Sequence, residues 1–238
     1  MRRSYNDQSI YGWRLADVRR ILALEDRLPG LRRVDLEVNY RCPRTVVERA
    51  VRLIEYNRER FAKTIRAGPA AAGRLVLAAD AADETVRIER AVRTWPDDGS
   101  TRAILARTNR ELLPAVVVAL ALGLPFRAPR IELLLDSPHL DRLLERGAEL
   151  ADGAPLLVVL EFDHVAVVGM EAGRFPSARA VGEAEDPGRA YEEERRLAYV
   201  AWTRARRSLT LVYDPAVPSP FLLEAFSAEE LGLTPATG

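Results

Sequence analysis

"YEEERRLAYVAWTRARRSL", residues 191–209, decides how the rest of the chain is read. Its acidic start and later apolar spacing predict an amphipathic helix, with Leu197, Val200, Ala201 and Arg204 on one stripe. Three of these suit a core. Arg204 suits one only if something accepts its charge, because an unpaired buried cation is costly. The helix's own terminal carbonyls and dipole can do so. The side chain can also snorkel to solvent.

Working outward, "SLTLVY" (208–213) follows this helix and "HVAVVG" (164–169) precedes it, both with the continuous apolar character of buried strands. Further strands are expected at "VDLEV" (34–38), "GRLVLAA" (73–79) and "RAILA" (102–106). Between them the spacing predicts helices. Asp17 caps one that buries Val18, Ile21, Leu22 and Leu28. Pro43 opens a second, in its first turn, with Val46, Val47, Ala50, Ile54 and Asn57 on one side. A third ends near "TWPDDG" (94–99). A fourth, "TNRELLPAVVVALALG" (108–123), starts with a Thr108–Glu111 capping box, has Pro114 at an early kink and stops at Gly123. Repeated β-α-β units of this kind imply an α/β fold, a parallel sheet flanked by helices. Residues 129–157 break the pattern and read as a short helical insertion or junction.

Composition excludes several classes. The 238 residues are 48% hydrophobic, enough for one large or two small domains, and formal net charge is zero. Bulk charge therefore predicts neither a nonspecific nucleic-acid binder nor a membrane-surface protein. Lys63 is the only lysine, so any phosphate contact falls to arginine. One cysteine, Cys42, excludes an internal disulfide, and His139 and His164 are too few for a zinc cluster. The opening "MRRSYNDQSIYGW" has no apolar signal core and no stretch approaches a membrane span, so a soluble, cytoplasmic protein without membrane contact is expected.

Six stretches, in order, resemble the UvrD/Rep-type superfamily-1 DNA helicases, specifically their second RecA-like motor lobe. They are "NDQSIYGWRLAD" (6–17), "LEVNYRCPRTVVERAVRLIEYN" (36–57), "AILARTNRELLPAVVVALALGLPF" (103–126), "LEFDHVAVVGMEAGRFPS" (160–177), "EEERRLAYVAWTRARRSLTLVY" (192–213) and "PSPFLLEAF" (218–226). The resemblance implies a remnant of the end of the first lobe at 1–30 and a RecA-like second lobe at 31–128 and 158–230. The insertion lies at 129–157 and a frayed tail at 231–238.

It also implies roles. Arg204 would reach the γ-phosphate of ATP held between two lobes, beside Arg41, with Gln8 sensing the same phosphate. Tyr40 would stack on the adenine and Glu161 would contact the ribose. Trp13 and Arg14, on a glycine-containing loop, suit stacking on an unpaired base plus a phosphate contact. Arg107, Thr108 and Asn109 resemble a segment on the DNA side. Simpler readings stay open: Arg41 as a surface arginine, Tyr40 and Trp13 as core aromatics, Glu161 as a strand end, Thr108 and Asn109 as helix starters.

The family's chemistry needs a G-x-x-x-x-G-K-[ST] loop and a strand-end acid for Mg²⁺, and neither is in this sequence. "GAPLLVVLEFD" (153–163) also lacks the T-x-H and K-G that the family places before L-E-F. The expected function is the C-terminal motor-lobe portion of an ATP-dependent 3′-5′ DNA helicase. Its partners would be single-stranded DNA and a first motor lobe or full-length helicase, with Mg²⁺ ligands supplied from elsewhere. Alone, the chain is not expected to turn over ATP. The alternatives are a non-catalytic module binding single-stranded DNA or a repair partner, or an inactive remnant.

Overall fold

The computed structural model describes residues 22–127 and 162–233, apart from 29, 33, 36, 61–63 and 70. In chain order the elements are α1 (Leu24–Arg27), β1 (Val38–Asn39), α2 (Arg44–Ile54), β2 (Arg66–Ala67), β3 (Arg74–Ala79) and α3 (Glu84–Arg93). Then come β4 (Arg102–Leu105), a 3-10 turn (Asn109–Leu112) that runs into α4 (Leu113–Ala121), and β5 (Phe162–Val167). The chain closes with α5 (Ala178–Gly182), α6 (Pro187–Trp202), β6 (Ala205–Tyr213) and α7 (Pro220–Ala225).

Four strands form one sheet in the order β3-β6-β5-β4, and every neighbouring pair is parallel. Side chains alternate across a strand, so each strand feeds two cores. Val165, Val167, Leu209, Leu211 and Tyr213 face a cluster built with Val46 and Leu53 of α2, Ala198 and Trp202 of α6, and Phe221 of α7. Ala166, Val168 and Val212 face the other way, onto Ile88 and Val92 of α3 and Val118 of α4. Both faces are covered, which explains why these strands read as unbroken apolar runs. The expected α/β parallel architecture is the one observed.

Helix starts follow the sequence cues. Asp83 Oδ1 accepts the Val86 N–H at 3.1 Å to open α3, and Asp186 Oδ1 accepts the Arg189 N–H at 3.0 Å to open α6. The Thr108 N–H donates to Glu111 Oε2 at 2.9 Å. Pro114 separates the 3-10 turn from the α-helix by sitting in the first turn of α4, and Gly123 follows its end at φ 63°.

Four details differ from expectation. Among the described residues of "VDLEV", Val38 is the one in a strand, which runs on to Asn39, the two pairing with Arg66 and Ala67. Asn39 then folds its side chain back, Oδ1 accepting the Arg41 and Cys42 N–H groups at 2.9 and 3.0 Å, and the strand ends. Pro43 caps α2 from outside instead of lying in its first turn. Leu28 is half exposed rather than buried. On α6, Leu197, Val200 and Ala201 are only partly buried, while Ala198, Tyr199 and Trp202 are the buried apolar residues. Arg204 is not on that helix: Thr203 ends it, donating Oγ1–H to the Tyr199 carbonyl at 2.8 Å, and Arg204 stands in the link to β6. The 129–157 insertion lies outside the described residues.

His164 of β5 is buried, its Nδ1 hydrogen-bonded to Ser208 Oγ at 2.6 Å. Burial pushes its pKa below the ordinary 6.5 and the Arg207 charge adds to that, against the opposing charges of Asp98 and Asp163. The unfolded chain thus takes up a proton at higher pH than the folded one. This contribution to stability is complete above the unfolded pKa and is lost as pH falls from there through the folded pKa. Melting temperature should fall from about pH 7.5 to about pH 5, and His164→Gln should flatten that fall. An unchanged slope in the variant would assign the fall to a group other than His164, because carboxylates such as Asp163, which hydrogen bonds from Thr101 hold low, act only at lower pH.

Candidate functional site

In a parallel sheet all strand starts share one edge and all strand ends the other. The candidate residues divide between these two edges.

At the edge of strand starts, the Asn39 side chain shapes the turn Tyr40-Arg41-Cys42. The Cys42 thiol then donates to the Thr203 carbonyl at 3.3 Å. This contact places Arg41 and Arg204 one residue either side of a shared junction. Gly73, at φ 136°, fits beneath it only because it has no Cβ. A Cβ there would lie 2.4 Å from the Arg207 carbonyl oxygen and 2.5 Å from Pro43 Cγ. Tyr40 is 79% exposed, which removes the core reading for it. Its ring lies against Gly68, where a Cβ would come within 3.0 Å of Cδ1. Arg41 is exposed. Arg204 is half-buried, with Nε donating to the Val200 carbonyl at 3.0 Å. A helix-terminal carbonyl therefore holds one side of that guanidinium, as the simplest sequence reading allowed.

At the opposite edge, Arg107 leaves the end of β4 and lays its Nε between both Glu194 oxygens, 2.8 Å from each. Arg107 NH2 adds a third bond to Oε1 at 2.5 Å, and the Ser177 N–H a fourth, to Oε2 at 3.0 Å. The Glu194 hydrogen bond raises the Arg107 pKa above its ordinary value, against the opposing effect of burial. Arg107 is thus engaged inside the fold, and the exposed residues of the turn are Thr108, Asn109 and Arg110. From Glu194 to Trp202, α6 spans about 12 Å and links the two edges.

The structure brings Tyr40, Arg41 and Arg204 together and sets Arg107, Thr108 and Asn109 apart from them. Gln8, Trp13, Arg14 and Glu161 lie outside the described residues. Sequence reasoning missed Cys42 and Glu194 as joints, and it missed Arg174, which meets three carboxylates in the loop after β5. The charged residues inside "GMEAGRF" (169–175), directly after a buried strand, were the available signal. Among the described residues, no three His, Cys, Asp or Glu side chains gather as a metal-holding group, and no helix is long and apolar enough to cross a membrane.

Residues 160–215 match the UvrD-like helicase C-terminal domain. DNA helicase II of Escherichia coli K12 is 33% identical over 127 residues, 51% of this chain and 18% of that protein. DNA helicase II of Haemophilus influenzae is 57% identical over 54 residues, 23% of this chain and 7% of that protein. ATP-dependent DNA helicase PcrA of Staphylococcus epidermidis is 32% identical over 111 residues, 44% of this chain and 15% of that protein. The chain thus spans less than a fifth of the length of these relatives. These matches make the C-terminal half of the chain similar to the C-terminal lobe of UvrD-type superfamily-1 helicases, and the parallel α/β fold is consistent with that lobe.

Proposed function

We propose that this chain supplies one half of an ATP-driven motor moving 3′-to-5′ on single-stranded DNA. The edge of strand starts faces the nucleotide and the edge of strand ends faces the DNA. The bond from Cys42 to Thr203 supports this most, because it anchors the turn carrying Tyr40 and Arg41 beside Arg204. The exposed Tyr40 ring offers a flat face to a base. Two guanidiniums on one edge suit the negative charge that develops on a transferring phosphoryl group. The Nε bond of Arg204 fixes the direction of its fork, which lowers the cost of reorganisation when charge develops. The phosphate-cradling loop and the metal ligands come from a first lobe.

ATP turnover tests this reading. The chain alone, with or without single-stranded DNA, should be silent. A first motor lobe of a relative added in trans should restore DNA-stimulated turnover, and Arg204→Ala should then lower it about 10³-fold or more. Turnover by the isolated chain that vanishes with Arg204→Ala would overturn the division of labour between two lobes.

A further inference from the structure

The loop after β5 carries a guanidinium with an unusual set of partners. Arg174 NH1 donates to Glu171 Oε2 at 2.6 Å, NH2 to Glu84 Oε1 at 2.6 Å, and Nε to Glu111 Oε1 at 3.1 Å. Gly169, at φ 69°, leaves room for it: a Cβ there would sit 3.2–3.3 Å from the guanidinium. The three carboxylates come from three places. Glu84 starts α3, Glu111 lies in the turn after β4, and Glu171 follows β5. Glu171 is held in turn by Arg87 at 3.1 Å and by the Asp214 N–H at 3.1 Å, just past the end of β6.

Glu111 is the joint that matters. One of its oxygens accepts from Arg174 and the other accepts the Thr108 N–H at 2.9 Å. Arg174 is therefore two hydrogen bonds from the backbone of the exposed Thr108–Asn109 turn, and it acts from behind. Without it, Glu84, Glu111 and Glu171 would face one another at close range, and repulsion would drive Glu111 off the Thr108 amide. A planar fork reaches three acceptors at once, which an ammonium on a flexible stem does far less well.

We infer that Arg174 is a positioning residue for single-stranded DNA, setting the Thr108–Asn109 turn through the shared Glu111 carboxylate. This rests on the proposed DNA-facing role of that turn. All three guanidinium nitrogens of Arg174 are taken up by carboxylates, so its loss should weaken binding without altering the number of phosphate contacts.

The test is a binding cycle on the whole chain, using a dye-labelled oligothymidylate, fluorescence anisotropy and a salt series. Arg174→Gln should weaken binding about fivefold at fixed salt, because a preorganised contact is loosened. The slope of log K against log salt should stay that of the parent. Loss of a phosphate contact would instead reduce it by about 0.7. Asn109→Ala should also weaken binding. In that background Arg174→Gln should add little, since both act through one turn. Additive effects, or full-strength binding by Arg174→Gln, would overturn the inference and leave the DNA-facing reading intact. A parent chain that binds no oligothymidylate would overturn both. Thermal melts run alongside, with Arg179→Gln as an exposed control. If Arg174→Gln does not melt cooperatively, Arg174→Lys takes its place in the same cycle.

Discussion

Gly73→Ala is expected to lower stability by about 3 kcal/mol or more, and the melting temperature by about 10 °C. Two costs combine. A φ of 136° is one that L side chains rarely adopt. The new methyl would also lie 2.4 Å from the Arg207 carbonyl oxygen and 2.5 Å from Pro43 Cγ. Neither neighbour yields easily. Arg207 belongs to the central strand β6, whose next residue pairs with Arg74, and Pro43 caps α2. Gly123→Ala separates the costs, because it has φ 63° but nothing within 4 Å of the added Cβ, and should lose only about 1–2 kcal/mol. Urea melts of both variants would check the pair. Equal losses would mean that the strand-start edge yields freely around Gly73.

Arg195→Met is the second large case, at about 3–5 kcal/mol. The Arg195 side chain is only 6% exposed. Its Nε and NH2 reach the two Glu224 oxygens at 2.8 and 2.7 Å, and NH1 donates to Asn57 Oδ1 at 2.6 Å. The guanidinium also lies 5.0 Å from the Tyr191 ring centre and 5.6 Å from that of Phe221. Methionine fills much of the volume but leaves the Glu224 carboxylate without its cation, and it unties α7 from α6. Adding Glu224→Leu should recover about half of the loss, because the orphaned charge is then gone. A single variant that melts within about 2 °C of the parent would show that solvent screens the pair.

These two positions illustrate what a sequence reveals. "HVAVVG" and "SLTLVY" were legible because strands buried on both faces have no room for polar alternation. "VDLEV" was read too long, since alternation marks two faces but cannot supply a partner strand. The buried side of α6 was misjudged because Arg195 and Arg196 look like surface residues. They are buried only because Glu224, Asn57 and the Glu59 carbonyl meet them, and Asn57 lies 138 positions away along the chain. The grouping of Arg41 with Arg204 was legible only through family resemblance, since their joint closes 161 positions of chain between Cys42 and Thr203. Arg174 escaped for the same reason: Glu84 and Glu111 are 90 and 63 positions away.

The Cys42 thiol has a practical consequence. It is the sole cysteine of the chain and is 1% exposed. An alkylating reagent can reach it only when the junction with Thr203 parts, so the labelling rate is a clock for that opening. Its ratio to the rate in denatured chain gives the fraction of time the joint stands open, each tenfold slowing corresponding to about 1.4 kcal/mol. Anything that clamps Arg41 and Arg204 together should make the clock run slower, in a mass-spectrometric readout that requires no turnover.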